Sequence, residues 1–214
     1  MSTITAEGIR ERICDTDPDK RLVITPLLDP KQIDGASVDL RLGFGFIVFN
    51  LPLIDCIDPS KKDEIENNIH KYQRRVRVNR KGRFILHPKQ FVLGSTLEYL
   101  VLPLNLHGEV GGRSTWGRTG LVIATATTVA PGYHGCITLE LANEGMLPLI
   151  LRPGDKIAQL VLHEASPPAS PYSGSYKYQT GPMFPKFKVP GDSNFWQEVP
   201  GRDNNASSDG DPTT

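Results

Sequence analysis

From residue 84 to residue 162 the sequence alternates short apolar runs with turn residues, and this rhythm restricts the fold more than any other feature of the chain. The runs cover residues 84–86, 91–94, 97–102, 121–126, 136–141, 147–151 and 157–162, and His87-Pro88, Pro131-Gly132, Asn143-Glu144-Gly145 and Arg152-Pro153-Gly154-Asp155 interrupt them. Runs of this length suit strands that bury one or both faces, and closely spaced turns join such strands antiparallel. The prediction is therefore a mainly β protein, an antiparallel sandwich, jelly roll or small barrel. The 20 glycines and 18 prolines among 214 residues fit a strand-and-turn chain better than a helical bundle.

Upstream of this array, residues 4–14 read as a short N-terminal helix. Ala6, Ile9 and Ile13 share a face, Glu7, Arg10, Glu11 and Arg12 lie outside it, and the turn-rich segment around Pro18 ends it. Residues 22–24 form a short apolar strand. Residues 37–42 alternate apolar and polar as a half-buried strand does, with Val38, Leu40 and Leu42 in the core, and residues 43–49 continue it or pair with it. Residues 58–82 carry dense charge of both signs. Ile65 and Ile69 predict a helical turn or two there, and Val76 and Val78 a strand edge. Arg74, Arg75, Arg77, Arg80 and Lys81 invite a nucleic-acid reading, but Asp63, Glu64 and Glu66 balance them and favour a solvated insertion.

Beyond residue 162 the chain turns Pro- and Ser-rich and then aromatic, and residues 201–214 are polar and expected to be disordered. Residues 1–182 are read as one domain with a closing tail segment, and residues 183–214 as a partly disordered extension. Lysine plus arginine (24) equals aspartate plus glutamate (24), so the chain lacks the basic excess of a protein that holds long nucleic acid. Cys14, Cys56 and Cys136 contain no CxxC pair, which points away from a zinc ribbon or a disulfide framework. No signal-peptide pattern or membrane-length apolar run is present, and a cytoplasmic setting is expected.

Two stretches offer chemistry. Arg113-Ser114-Thr115-Trp116-Gly117-Arg118, preceded by Gly111 and Gly112, supplies guanidinium groups, hydroxyls and glycines suited to phosphate oxygens. A basic loop between strands is also ordinary surface. In Thr138-Leu139-Glu140-Leu141, alternation places Glu140 opposite Leu139 and Leu141, where it faces either solvent or a pocket in which it takes a proton from water. The zinc-deaminase pattern is only half present: His107-Gly108-Glu109 matches His-x-Glu, but no Pro-Cys-x-x-Cys follows.

Seven words in order add a resemblance. They are residues 33–43; 84–88; 112–121 with Thr125-Ala126; 131–141; 147–149 with 151–154; 157–160; and 176–182. Over roughly residues 5–185 the chain resembles the dCTP deaminase family, part of the dUTPase-related all-β superfamily. The resemblance implies a homotrimer of distorted β-barrels with active sites between subunits, hydrolysing dCTP to dUTP and ammonia without zinc. It makes Glu140 the general base and acid at cytosine C4, and Ser114 and Arg118 the residues that position the water and the base. It assigns nucleotide contacts to Arg113, Ser114, Thr115, Trp116, Gly117, Arg118, Thr138, Leu139 and Gln159, and to the tail residues Tyr172, Lys177 and Gln179. Mg²⁺ would arrive with the triphosphate, and dTTP is a candidate inhibitor. Ala130 stands where the family usually has an aspartate, which counts against dUTP diphosphatase activity. A diphosphatase or bifunctional enzyme giving dUMP, and a catalytically silent nucleotide-binding module, are the alternatives.

Overall fold

The structure, a computed structural model, describes residues 2–49, 57–58, 61–124 and 128–187. Helix α1 (Ala6–Cys14) lies against the body through Ile9, which is fully buried, with Ala6 and Ile13 packed beside it. The strands are β1 (Val23–Thr25), β2 (Ile33–Asp34), β3 (Ser37–Arg41), β4 (Gly45–Phe49), β5 (Gln73–Arg77), β6 (Phe84–Leu86) and β7 (Phe91–Val101). They continue with β8 (Leu106–Gly112), β9 (Leu121–Ile123), β10 (Thr128–Val129), β11 (His134–Asn143), β12 (Leu149–Leu151) and β13 (Lys156–Glu164). Three more short helices, α2 (Lys62–Asn67), α3 (Ile69–Tyr72) and α4 (Ser114–Gly117), sit between strands.

One sheet runs β5-β4-β7-β11-β9, with β1 added to the far end of β7, and a second runs β10-β8-β13-β3-β2. A small β12-β6 ladder accompanies them. The named strand pairs are all antiparallel. Val38 and Leu160 from the second sheet share a single buried cluster with Phe46, Leu100, Leu139 and Leu141 from the first. The mainly β expectation with a short N-terminal helix holds. The described strands do not close into one hydrogen-bonded barrel; an isolated bridge between Leu42 and Thr96 links the two sheets. No described helix is long and apolar enough to cross a membrane.

Several local expectations need correction. Strand β3 is not half exposed: Asp39 and Arg41 are buried along with Val38 and Leu40, because polar partners meet them. The Arg41 backbone N–H donates to Glu98 Oε2 (2.8 Å), its guanidinium bonds Gln32 Oε1 and lies 3.4 Å from Glu98 Oε1, and Gln32 Nε2 donates to Glu98 Oε1 (2.8 Å). Residues 45–49 do not pair with β3 but join β5 and β7 in the other sheet. The runs 91–94 and 97–102 are one strand, since Ser95 and Thr96 between them are buried. The Thr96 hydroxyl donates to Glu98 O (2.8 Å) and accepts from Ile137 N–H (2.9 Å), so the polar break does not interrupt the ladder.

Strand β8 escaped prediction because three of its seven residues are glycine. At Gly108 a β-carbon would lie 2.6 Å from Leu160 Cδ1, so any larger residue would displace that core side chain. The 121–126 run ends as a strand at Ile123, and residues 125–127 lie outside the described residues. The 147–151 strand begins only at Leu149. The charged insertion contains α2, α3 and edge strand β5, with Ile65 buried and Arg74, Arg75 and Arg77 exposed.

Candidate functional site

Strand β11 pairs with β7 on one edge and β9 on the other, so its backbone is fixed along its length. A register shift between Cys136 and Thr138 marks a bulge, and both Ile137 and Thr138 line the cavity that forms beside it. Downstream the alternation resumes: Leu139 and Leu141 are wholly buried in the core, while half-buried Glu140 lines the cavity. The cavity holds about 240 Å³, and its walls include Thr138, Glu140, Ala130, Tyr133, Tyr172 and Gln179. Burial in the cavity wall, which desolvates the charged form, raises the pKa of the Glu140 carboxyl above its ordinary value. A carboxyl raised in this way is suited to passing a proton to and from a substrate.

The tail closes one side of the cavity. Tyr178 N–H donates to His134 O (2.6 Å), and Cys136 N–H donates to Gln179 O (2.8 Å), so the tail runs beside the start of β11 as a one-residue bridge. The Gln179 amide nitrogen donates to Cys136 O (2.6 Å) and to the Tyr133 hydroxyl oxygen (3.0 Å), and Tyr133 in turn donates to Cys136 O (2.7 Å). Tyr172 packs against Tyr133 with ring centroids 5.6 Å apart. Met183 and Pro185 reach the cavity wall, and Phe184 is buried beside Phe49 and Tyr72. Residues 188–214, most of the proposed extension, lie outside the described residues.

The arginine loop is built differently. Arg113 precedes α4 and forms an ion pair with Asp39 of β3. Lys156 Nζ lies 3.2 Å from the other Asp39 oxygen, and Gln159 Nε2 donates to Asp39 Oδ1 at 3.4 Å. Asp39 thus gathers two cations and an amide, and Lys156 also lies 3.5 Å from Asp29 Oδ2, so the group is charge-balanced while offering guanidinium, ammonium and amide donors suited to an anion. Trp116 is anchored by Nε1 donating to Lys156 O (2.9 Å), while Ser114, Thr115, Gly117 and Arg118 are exposed. A β-carbon at Gly111 or Gly117 would meet nothing within 4 Å, so neither glycine is demanded by the packing of the described residues.

Of the residues singled out from sequence, the cavity therefore unites Glu140, Thr138, Tyr172 and Gln179, and Asp39 unites Arg113 with Gln159. The 113–118 loop does not line the Glu140 cavity. Leu139 turns its side chain into the core. Lys177 faces a separate depression with Asp19, Arg21 and His134, its amine 5.2 Å from the Tyr178 ring centre. Sequence reasoning overlooked Asp39, Lys156, Tyr133, Tyr176 and Met183 as neighbours of these groups. Asp39 carried a readable signal, a carboxylate in a strand-like alternation, but the pattern alone assigned it to solvent. A larger cavity of about 660 Å³, bounded by Arg75, Arg77 and Pro182, shares Gln179 and Met183 with the smaller one but does not reach Glu140.

Comparison with known proteins gives consistent results. A family model described as dCTP deaminase-like matches residues 5–165. A dCTP deaminase from Haloarcula marismortui is 44% identical over 181 residues, covering 81% of this chain and 90% of the relative. A relative from Halobacterium salinarum, named dCTP deaminase, dUMP-forming, is 39% identical over 199 residues, covering 90% and 97% respectively. Among solved structures, the 2′-deoxycytidine 5′-triphosphate deaminase of Agrobacterium tumefaciens superposes with a TM-score of 0.58 at 19% identity. That superposition covers 76% of this chain and 48% of the other, and at this identity it speaks for the fold alone.

Proposed function

The chain belongs to the dCTP deaminase-like family, and from that premise we propose that it hydrolyses dCTP to dUTP and ammonia. The observation that carries the reading is the Glu140 carboxyl, lining a cavity roofed by the tail, with its pKa raised by desolvation. The ionised carboxylate takes a proton from water as the oxygen attacks C4 of cytosine. That proton then passes to the departing amino group, which leaves as ammonia, and the second water proton moves from the C4 hydroxyl to N3, giving the C4 carbonyl and N3–H of uracil. Tyr172 and Gln179 hold the tail against the cavity, excluding bulk water and strengthening the electrostatics inside it.

The water and the base also require donors, and we assign these to Ser114 and Arg118 of a neighbouring copy in a homotrimer. The support is that both residues are exposed in their own protomer and do not line its Glu140 cavity. Arg113, Lys156 and Gln159, grouped on Asp39, supply the hydrogen-bond donors for the triphosphate. Mg²⁺ enters as part of the substrate, on the phosphate oxygens, and dTTP competes for the same surface.

A second reading, deamination followed by cleavage to dUMP, is favoured by relatives named dUMP-forming, such as that from Halobacterium salinarum. Ala130 argues against it, because its methyl group on the cavity wall offers no acceptor to orient a second water. Incubation with dCTP and Mg²⁺ followed by nucleotide separation tests both. Accumulation of dUTP supports the proposal, and dUMP with pyrophosphate supports the second reading. No uracil nucleotide above the Glu140→Gln control overturns both.

A further inference from the structure

Three potential metal ligands meet on the second sheet outside the Glu140 cavity. His107 and Glu109 are two residues apart on β8 and therefore project from the same face. His163 on β13 pairs directly with His107. The intervening Gly108 lies over Leu160 and Leu162 in the core, so the His-Glu face is the opposite one. One ligand atom from each of His107, Glu109 and His163 lies within 4.8 Å of the others.

His163 carries the argument further. Its Nε2 is buried and has no hydrogen-bond partner, which is costly for a ring nitrogen unless something else meets it. Its Nδ1 lies 3.2 Å from the Thr3 hydroxyl, and Thr3 bridges to His163 through the backbone. An Nδ1–H donated to that hydroxyl leaves the lone pair on Nε2, the tautomer a metal requires, and provides the outer hydrogen bond that orients such ligands. Nε2 already lies 3.7 Å from Glu109 Oε2. Two ligands at about 2.0–2.1 Å from a tetrahedral ion stand roughly 3.4 Å apart, so this pair needs little adjustment. The His107 and His163 rings stack with centroids 5.0 Å apart, which sets the third donor beside the other two.

We propose that His107, Glu109 and His163 bind one divalent transition-metal ion of the Zn²⁺ type, with water completing the coordination. Two imidazoles and a carboxylate favour such an ion over Mg²⁺, which prefers oxygen donors. The three residues do not line the Glu140 cavity, although Glu109 pairs with Thr128, which does. The ion would cross-link β8 to β13 and secure the N-terminal segment through Thr3. Its role is structural; the deamination chemistry proposed above does not use it.

Full-length protein stripped with chelator and titrated with Zn²⁺ against a chromogenic competing chelator tests the site. One Zn²⁺ per chain is expected, with no displacement by Mg²⁺ at the same concentration. His107→Ala and His163→Ala should abolish stoichiometric uptake. Glu109→Gln alters an exposed residue and keeps the fold, so it should weaken affinity by at least about tenfold, the lower bound for losing even an outer partner of a ligand. Zn²⁺ should also raise the thermal midpoint of the wild type and leave that of Glu109→Gln nearly unchanged. Lack of stoichiometric binding, or binding unaltered in Glu109→Gln and His163→Ala, would overturn the proposal and leave only a stacked histidine pair beside a carboxylate.

Discussion

At the scale of single residues, half-buried Glu140 and buried Glu98 have opposite uses. Glu140 borders a cavity, and its pKa is raised by desolvation. As a base it must be ionised, so kcat/KM should fall as pH drops through the raised value. The acidic limb should therefore lie above the ordinary glutamate pKa of about 4.3, measurable as a pH–rate profile with dCTP. A limb at or below the ordinary value would remove Glu140 from this role. Glu98 is inaccessible, with burial again raising its pKa, but hydrogen bonds from Gln32 and Arg41 fill both of its oxygens. Replacing it with alanine strands the Arg41 guanidinium in the interior. Glu98→Ala should cost about 3–5 kcal/mol in urea unfolding, as loss of one partner of a buried pair typically does.

At the scale of elements, the junction between α4 and β9 governs where the arginine loop points. Gly120 has φ +91°, and a β-carbon there would lie 2.4 Å from Gly145 N. Backbone meets backbone at this crossing, and Glu144 N–H donates to Gly120 O (2.8 Å). Gly120→Ala should therefore cost at least about 1–3 kcal/mol in denaturant unfolding, from the strained φ alone. It should also reduce dCTP turnover by displacing residues 113–118. Unchanged stability would show that the crossing relaxes freely. The turn glycines were visible in the sequence as punctuation. Their conflict with a second glycine 25 residues later was not, because that contact exists only once β9 lies beside β11.

At the scale of the whole molecule, the two halves of the proposed chemistry occupy different parts of one chain. Glu140 lines its cavity from β11, while Ser114 and Arg118 stand exposed beyond β8. If sites form between copies, Glu140→Gln and Arg118→Ala should each be inactive alone, yet co-expressed or co-refolded mixtures should regain activity. Random equal mixing in a closed ring pairs an intact glutamate with an intact arginine at about one site in four. Regain near that fraction supports shared sites; none means that each chain must supply both groups itself.

The chain alone determined the secondary-structure rhythm, the core positions Val38, Leu40 and Leu42, and the candidate groups at residues 113–118 and 140, because those depend on period and residue type. Its ordered words also carried the family resemblance. Tertiary structure decided which groups meet. The polar positions of β3 are buried because Glu98, Gln32 and Arg113 converge on Arg41 and Asp39 from distant sequence. Strand β8, obscured by its glycines, lies beside β13 and brings His107 opposite His163. Glu140 faces a cavity rather than open solvent because the tail returns over β11 through Gln179. Alternation can say that two side chains lie on opposite faces of a strand, but what covers each face is set by non-local pairing, which no local pattern encodes.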